Sequence, residues 1–280
     1  VSQPDRRLTL IRDGVAARVL EGVVAADRYL DPTARQCAVT AAAIRKTPAP
    51  DAEQEDQLLF GEVFDMLLEE GGFSFGQARR DGYVGWVETA ALHSPIEAAT
   101  HRVHALRTYG FSRPDIKSRP IGLYTMNALV TVEAREGRFV KAVGSGWFIE
   151  AHLAPVGLAL ATDPATVAEK FLGAVYQWGG RESLGLDCSG LIQQALTACG
   201  RACPRDTDMQ QAGLGTPIQD DHPRRGDLVF WKGHVAMMLD ETRMIHANAH
   251  HMAVAIEPLA DAIVRIRNNG GGEPTAYRRP

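Results

Sequence analysis

Asp187-Cys188-Ser189-Gly190-Leu191 and, further along the chain, Gly233-His234-Val235 and His246-Ala247-Asn248 supply a thiol, two imidazoles and an amide. A thiolate attacks carbonyl carbon and an imidazole can take the thiol proton, so these residue types point to covalent catalysis. Leu191, Ile192, Ala195, Leu196 and Cys199 recur at helical spacing, and Gly200 stands where a C-terminal glycine belongs. Asp187 is then the N-cap and Cys188 falls in the first turn, where unpaired N–H groups and the helix dipole favour loss of the thiol proton.

The histidines need a scaffold of a different kind. His234-Val-Ala-Met-Met-Leu239 reads as an apolar strand, Asp240-Glu-Thr242 as a turn, and Arg243-Met-Ile-His-Ala-Asn248 as the returning strand. In such a hairpin His234 falls opposite residues 246 to 248, and His246 and Asn248 share a face because strand side chains alternate. A third polar group across from His234 would fix its tautomer, which a Cys–His pair requires. Attack of Cys188 on an amide carbonyl would give a tetrahedral oxyanion and then a thioester for water to hydrolyse. The backbone N–H of Cys188 at the helix start is placed to meet that oxyanion.

Tyr176-Gln-Trp-Gly-Gly180, Gly185-Leu-Asp-Cys-Ser-Gly-Leu191, Pro204-Arg-Asp-Thr207, Gly226-Asp-Leu-Val-Phe-Trp231, Gly233-His-Val235 and Ile245-His-Ala-Asn248 occur in that order. Together they resemble the NlpC/P60 cysteine peptidases over roughly residues 164–275. The resemblance implies Cys188 as nucleophile, His234 as general base and His246 as the orienting third residue. It also implies a place for Tyr176 beside the nucleophile, near the developing oxyanion; read alone, Tyr176 is equally a core tyrosine with its hydroxyl at the surface. Asp187 and Ser189 match residues that line the substrate pocket, and Arg205 and Thr207 sit in a segment bordering it. The implied substrates are bacterial cell-wall peptides, cut after a γ-linked D-glutamate.

The remainder of the chain must position and restrict that chemistry. At 280 residues and 45% hydrophobic content, two or three domains are expected. Residues 1–50 read as an N-terminal segment and linker, with Lys46-Thr-Pro-Ala-Pro50 and Asp51-Ala-Glu-Gln-Glu-Asp56 as solvated chain. From Gln57 short strands and glycine-containing turns follow closely, which suggests a small β-barrel. A second set runs from Arg119 to Ile149, and both sets end in Gly-Trp followed by an apolar residue, as a weak internal repeat. Both resemble bacterial SH3 domains. The expected architecture is therefore multidomain: SH3-like barrels at 51–110 (with a following helical linker over Ile96–Tyr109) and 111–158, then an α+β papain-like domain at 159–280. The resemblance further implies that Glu62 and Tyr83 grip the free amine of an N-terminal L-alanine.

A net charge of -4 gives no electrostatic reason to bind nucleic acid or an anionic membrane, and no apolar run is long enough to span one. The first residues, Val-Ser-Gln-Pro-Asp-Arg-Arg, do not read as a signal peptide. Of Cys37, Cys188, Cys199 and Cys203, the last two have an x3 gap that is neither a redox motif nor half of a common zinc site, so a reduced, cytoplasmic protein is expected; a monomer without cofactor is expected as well. His246, His250 and His251 lie in strand and turn rather than on one helix face, and no metal is expected there. His101 and His104 read as solvated linker residues, Asp220-Asp221-His222-Pro223 as a solvent-facing loop and Gly270-Gly-Gly272 as a turn.

The expected activity is hydrolysis of the γ-D-glutamyl–diamino acid bond, to diaminopimelate or lysine, in murein peptides with a free N-terminal L-Ala. The alternatives are an extracellular peptidoglycan hydrolase anchored by its SH3-like domains, a thiol acyltransferase with the same nucleophile, and a binding protein with a decayed catalytic domain.

Overall fold

The computed structural model describes residues 4–218 and 222–280, so Asp220 and Asp221 lie outside the described residues. The chain forms two compact units that divide between Val156 and Gly157.

In the N-terminal unit a seven-stranded antiparallel sheet runs in the order Leu92–His93, Thr33–Cys37, Val63–Glu70, Phe73–Ala78, Val84–Glu88, Ala41–Arg45, Gln54–Leu59. Alternation buries Ile44, Leu58, Phe64 and Val87 in one cluster, while Leu10, Val15, Phe73, Phe75 and Trp86 form another. Residues 10–20 are therefore folded onto this sheet. Two expectations fail here. Residues 46–53 are not a linker but the turn of a hairpin between Ala41–Arg45 and Gln54–Leu59. The acidic run also enters the fold: Asp56 is fully buried, because Arg80 supplies it with a cationic partner. A local pattern of charges cannot reveal a partner two strands away.

Ile11–Arg12, Val15–Ala17 and Arg28–Leu30 form a small mixed sheet, and two antiparallel sheets complete the unit. Leu129–Val130, His101–Val103 and Leu153–Pro155 form one. Pro120–Thr125, Arg107–Phe111, Gly146–Ile149, Phe139–Ala142 and Val132–Glu136 form the other. Ile96–Tyr109 is thus not helical: it carries the strands His101–Val103 and Arg107–Phe111. Thr108 and Gly110 are buried at alternating positions of the second strand, a period of two that its exposed Arg107 and Tyr109 disguise. Leu59 and Phe60 join Val103, Tyr124, Val130 and Phe148 in a shared core, so the two sets of strands are packed as one body.

The C-terminal unit is built on a nine-stranded sheet whose centre reads Ala253–Pro258, Arg243–Asn248, His234–Met238, Leu228–Trp231, Ala276–Arg279. One face carries Val229, Trp231, Ala236, Met238 and Met244, covered by helix α4 (Leu259–Asn268) through Ala262, Ile263 and Ile266. Alternation turns Val235, Met237, Ile245 and Ala247 to the opposite face, and all four are fully buried. Helix α2 (Cys188–Ala198) packs against the same two strands and buries nearly its whole surface. It ends as predicted at the glycine. Gly200 has φ +74, Arg201 N–H donates to Leu196 C=O and Gly200 N–H to Thr197 C=O. Two shorter helices, α1 (Pro164–Glu169) and α3 (Thr207–Gly213), flank α2.

Candidate active site

The helix start is assembled around one carboxylate. Asp187 Oδ1 accepts the Gly190 N–H at 2.7 Å, which caps α2 and sets Cys188 as its first residue. Gly190 can only be glycine in this arrangement, since a Cβ there would stand 2.3 Å from the carbonyl oxygen of Gly180. The same carboxylate receives both amines of Arg205, at 2.7 and 3.0 Å, and the Gly179 N–H at 2.9 Å. Arg205 also donates to Ser189 Oγ at 2.8 Å. Asp187, Ser189 and Arg205 are all buried, and a bidentate pair of this kind keeps a buried carboxylate and guanidinium satisfied. Gln210 of α3 fastens the segment by donating to the backbone oxygens of Ser189 and Pro204. Thr207, at the start of α3, brings its hydroxyl to 3.9 Å from Cys188 Sγ.

Cys188 is buried, and its surroundings work against the simple expectation from a helix N-terminus. Burial, followed by the negative charge of Asp187, pushes its thiol up to about 11. N–H groups of Val235 and Ser189 and the Thr207 hydroxyl pull in the other direction but do not prevail. The dipole argument is corrected accordingly: the resting thiol keeps its proton. Tyr176 is also held protonated, by burial first and by the neighbouring charge of Asp187, so its hydroxyl remains a donor.

The hairpin brings the imidazoles together. The pairing of Met237 with Ile245 and Met238 with Met244, continued along the strands, sets Asn248 opposite His234. His234 Nε2 lies 2.7 Å from His246 Nδ1, and His246 Nε2 lies 2.6 Å from Glu257 Oε1. Arg265 of α4 donates to the same Glu257 oxygen. The tautomers follow from the far end of this chain. Although burial opposes it, hydrogen bonds from His246 and Arg265 hold Glu257 down to about 2, so it is an ionised acceptor. His246 must then donate from Nε2 and accept at Nδ1. His234 in turn donates from Nε2, which leaves its Nδ1 as the basic nitrogen. Burial, then the neighbouring His246 and Arg265, lowers His234 to about 3, and burial lowers His246 as well. Both rings are neutral at rest. The thiol lies beside the strand start, where the Val235 N–H that reaches Cys188 Sγ is the first after His234.

Glu257 and Arg265 are not among the residues singled out from the sequence. Glu257 pairs with Met244 in register and therefore sits diagonally from His246 on the neighbouring strand. A carboxylate two positions off a histidine's cross-strand partner was the available signal, and it needs the register to be seen.

His246, His251 and Glu257 bring potential metal-ligand atoms within 4.8 Å of one another. Both ring nitrogens of His246 already serve His234 and Glu257, and His251 Nδ1 faces Asn248 Oδ1 at 3.0 Å. The donor set is that of a hydrogen-bonded relay.

Glu62 and Tyr83 belong to the N-terminal unit. Glu62 accepts from the Leu59 N–H at 2.9 Å and from Arg80 at 2.6 Å, while Asp56 and Asp81 reach the same guanidinium. Burial opposes the charge on Arg80, yet these carboxylates hold its pKa well above the ordinary value. Tyr83 is buried two residues beyond Asp81, whose Oδ1 accepts its N–H at 3.2 Å.

A capped helix bearing a cysteine, packed on a sheet whose hairpin carries a histidine relay, defines a papain-like domain of cysteine-peptidase type. Residues 173–268 match the NlpC/P60 family, and residues 44–92 match the bacterial dipeptidyl-peptidase Sh3 domain. The chain is 38% identical over 84 residues to Dipeptidyl-peptidase 6 of Lysinibacillus sphaericus, a stretch covering 29% of this chain and 30% of that protein. It is 36% identical over 90 residues to the bifunctional muramidase/DL-endopeptidase CwlT of Bacillus subtilis, covering 29% of this chain and 27% of that one. The chain thus spans less than a third of the length of these curated relatives. An NlpC/P60 family protein from Bacillus cereus, known as a crystal structure, matches with a TM-score of 0.75 over 88% of this chain and 99% of its own. At 19% identity that is a likeness of fold.

Proposed function

We propose that this protein is a cysteine peptidase that hydrolyses the γ-D-glutamyl–diamino acid bond of murein peptides bearing a free N-terminal L-Ala, releasing L-Ala-γ-D-Glu. The observation that carries the reading is the His234–His246–Glu257 relay, which leaves a bare imidazole nitrogen on the residue beside the Val235–Cys188 contact. In the proposed reaction Cys188 Sγ attacks the amide carbonyl as its proton passes to His234 Nδ1. The tetrahedral oxyanion is met by the Cys188 N–H and the Tyr176 hydroxyl, and one such donor contributes about 3 kcal/mol in comparable sites. The C–N bond breaks as His234 returns the proton to the leaving amine. Water, deprotonated by His234, then hydrolyses the thioester and regenerates the thiol.

The buried Asp187–Ser189–Arg205 group supports a polar pocket beside the nucleophile for the D-glutamyl residue, with Thr207 at its edge. It disfavours the acyltransferase alternative, which requires an apolar groove. For the free amine, the acid-rich setting of Glu62, with Asp56 and Asp81 around Arg80 and Tyr83 close by, is chemically suited to an ammonium. In this reading the protein acts as a monomer on peptide fragments inside the cell, since a stem peptide gains a free amine only after release from the glycan.

Mass spectrometry of L-Ala-γ-D-Glu-diaminopimelate incubated with the protein tests the proposal. L-Ala-γ-D-Glu should be released, and neither Cys188→Ala nor an N-acetylated substrate should give it. Equal cutting of the acetylated peptide would remove the amine requirement, and no cutting of either peptide would remove the activity.

A further inference from the structure

On the α4 side of the hairpin a cavity of about 410 Å³ is walled by His234 and His246 themselves, together with Trp231, Lys232, Asn248 and Arg265 among others. None of its eleven lining residues is acidic, and two are cations. Three of them carry buried N–H donors that have no acceptor among the described residues: Trp231 Nε1, Asn248 Nδ2 and Arg265 Nε. Trp231 is 1% exposed and Asn248 6%. Asn248 Oδ1 accepts the His251 N–H at 2.8 Å, and Arg265 gives another of its N–H groups to Glu257. A buried donor left without an acceptor costs roughly 1–3 kcal/mol, so a small shift of the wall that brings these donors to an acceptor in the cavity is favoured. Lys232, exposed in the turn before His234, adds a positive charge at the rim.

We propose that this cavity is a carboxylate-binding site for the leaving side of the substrate, which takes the free α-carboxylate of a C-terminal diamino acid. The inference rests on the peptidase reading above. His234 is there the group that protonates the leaving nitrogen, so a cavity that shares His234 adjoins the fragment being expelled. The leaving nitrogen is the α-amine of the diamino acid, and its own carboxylate is attached to the same carbon. An acid-free wall that carries the cations Lys232 and Arg265 suits an acceptor-only anion, and charge-assisted bonds to it are about twice as strong as neutral ones. The consequence is a specificity rule: a peptide that ends at the diamino acid is preferred over one in which that carboxylate is amidated or extended.

The test uses the full chain with Cys188→Ala, so that binding is read apart from turnover, and two probes: L-Ala-γ-D-Glu-L-Lys as the free acid and as its C-terminal carboxamide. Calorimetry should show the acid binding about tenfold more tightly, a difference that Lys232→Met narrows severalfold. Trp231→Phe, which removes only the indole N–H from an otherwise aromatic position, should narrow it too. Equal affinity for the two probes overturns the site, as does a preference that neither substitution moves. Hydrolysis by the unsubstituted protein separates the two readings. If acid and amide are cut equally, the peptidase stands and the cavity proposal falls. If the acid is bound in preference but neither probe is cut, the cavity stands and the reaction assigned to Cys188 falls.

Discussion

At the scale of single residues the site is a pair of neutral groups, a buried thiol and a half-buried imidazole. With Cys188 pushed up to about 11 and His234 lowered to about 3, both by burial first, thiol and imidazole coexist across the whole neutral range. Peptide-resolved alkylation of Cys188 by iodoacetamide should therefore accelerate about tenfold per pH unit up to roughly pH 10, as the thiolate fraction of a high-pKa thiol does. A preformed thiolate–imidazolium pair would instead level off below pH 7, and that plateau would refute the assignment. The imidazole owes its usefulness to Glu257. In Glu257→Gln the carboxamide can offer an N–H to His246 Nε2, which reverses the relay and puts the proton on His234 Nδ1, where a base is needed. The expected result is a fall in kcat of about 10²–10⁴-fold with KM little changed, the scale seen when a triad's orienting carboxylate becomes an amide. A purely structural role for Glu257 would show as lost stability with kcat intact.

At the scale of elements, legibility tracked how local the determining physics is. Helix α2 was readable at both ends because Asp187, a run at 3.6-residue spacing and Gly200 all act within the segment itself. The His234–Asn248 hairpin was readable because its apolar run, its Asp240 turn and its return are contiguous; Asp240 indeed accepts the N–H groups of Thr242 and Arg243. Glu257 was not, since nothing in Ala253–Pro258 announces that a strand slot beside His246 requires a carboxylate. The acidic run before Gln57 and the stretch from Ile96 misled for the same reason: Arg80 and the sheet partners that fix them lie elsewhere in the chain. Gly200 offers the direct check on a local signal. Its φ of +74 and a Cβ position 3.2 Å from Ala159 Cβ mean that Gly200→Ala should destabilise the C-terminal unit by about 1–2 kcal/mol. Urea denaturation should show a lower midpoint at unchanged slope, and an unshifted midpoint would show that the cap contributes nothing.

At the scale of the whole molecule, the division at Val156–Gly157 separates two bodies, each with its own buried clusters. The catalytic groups proposed here all lie beyond it, and the proposed amine clamp all lies before it. Residues 157–280 expressed alone should consequently fold, and they should carry the acid sensitivity of the relay with them. The sign is set by the depressed values. Between the ordinary 6.5 and about 3 the unfolded chain binds a proton that folded His234 refuses, and between 4.5 and about 2 Glu257 behaves likewise. Stability is therefore present above pH 6.5 and is lost progressively as the pH falls through that window. The thermal midpoint of the isolated unit should drop along this range as it does in the full chain, and His234→Gln should flatten the upper part of the curve. Activity should part company with stability. Without residues 1–156 the unit should cut N-acetylated and free tripeptides at similar rates, both slowly, because the amine no longer has a partner. Retention of a strong preference for the free amine would place its recognition beside Cys188 and release Glu62 and Tyr83 from that role.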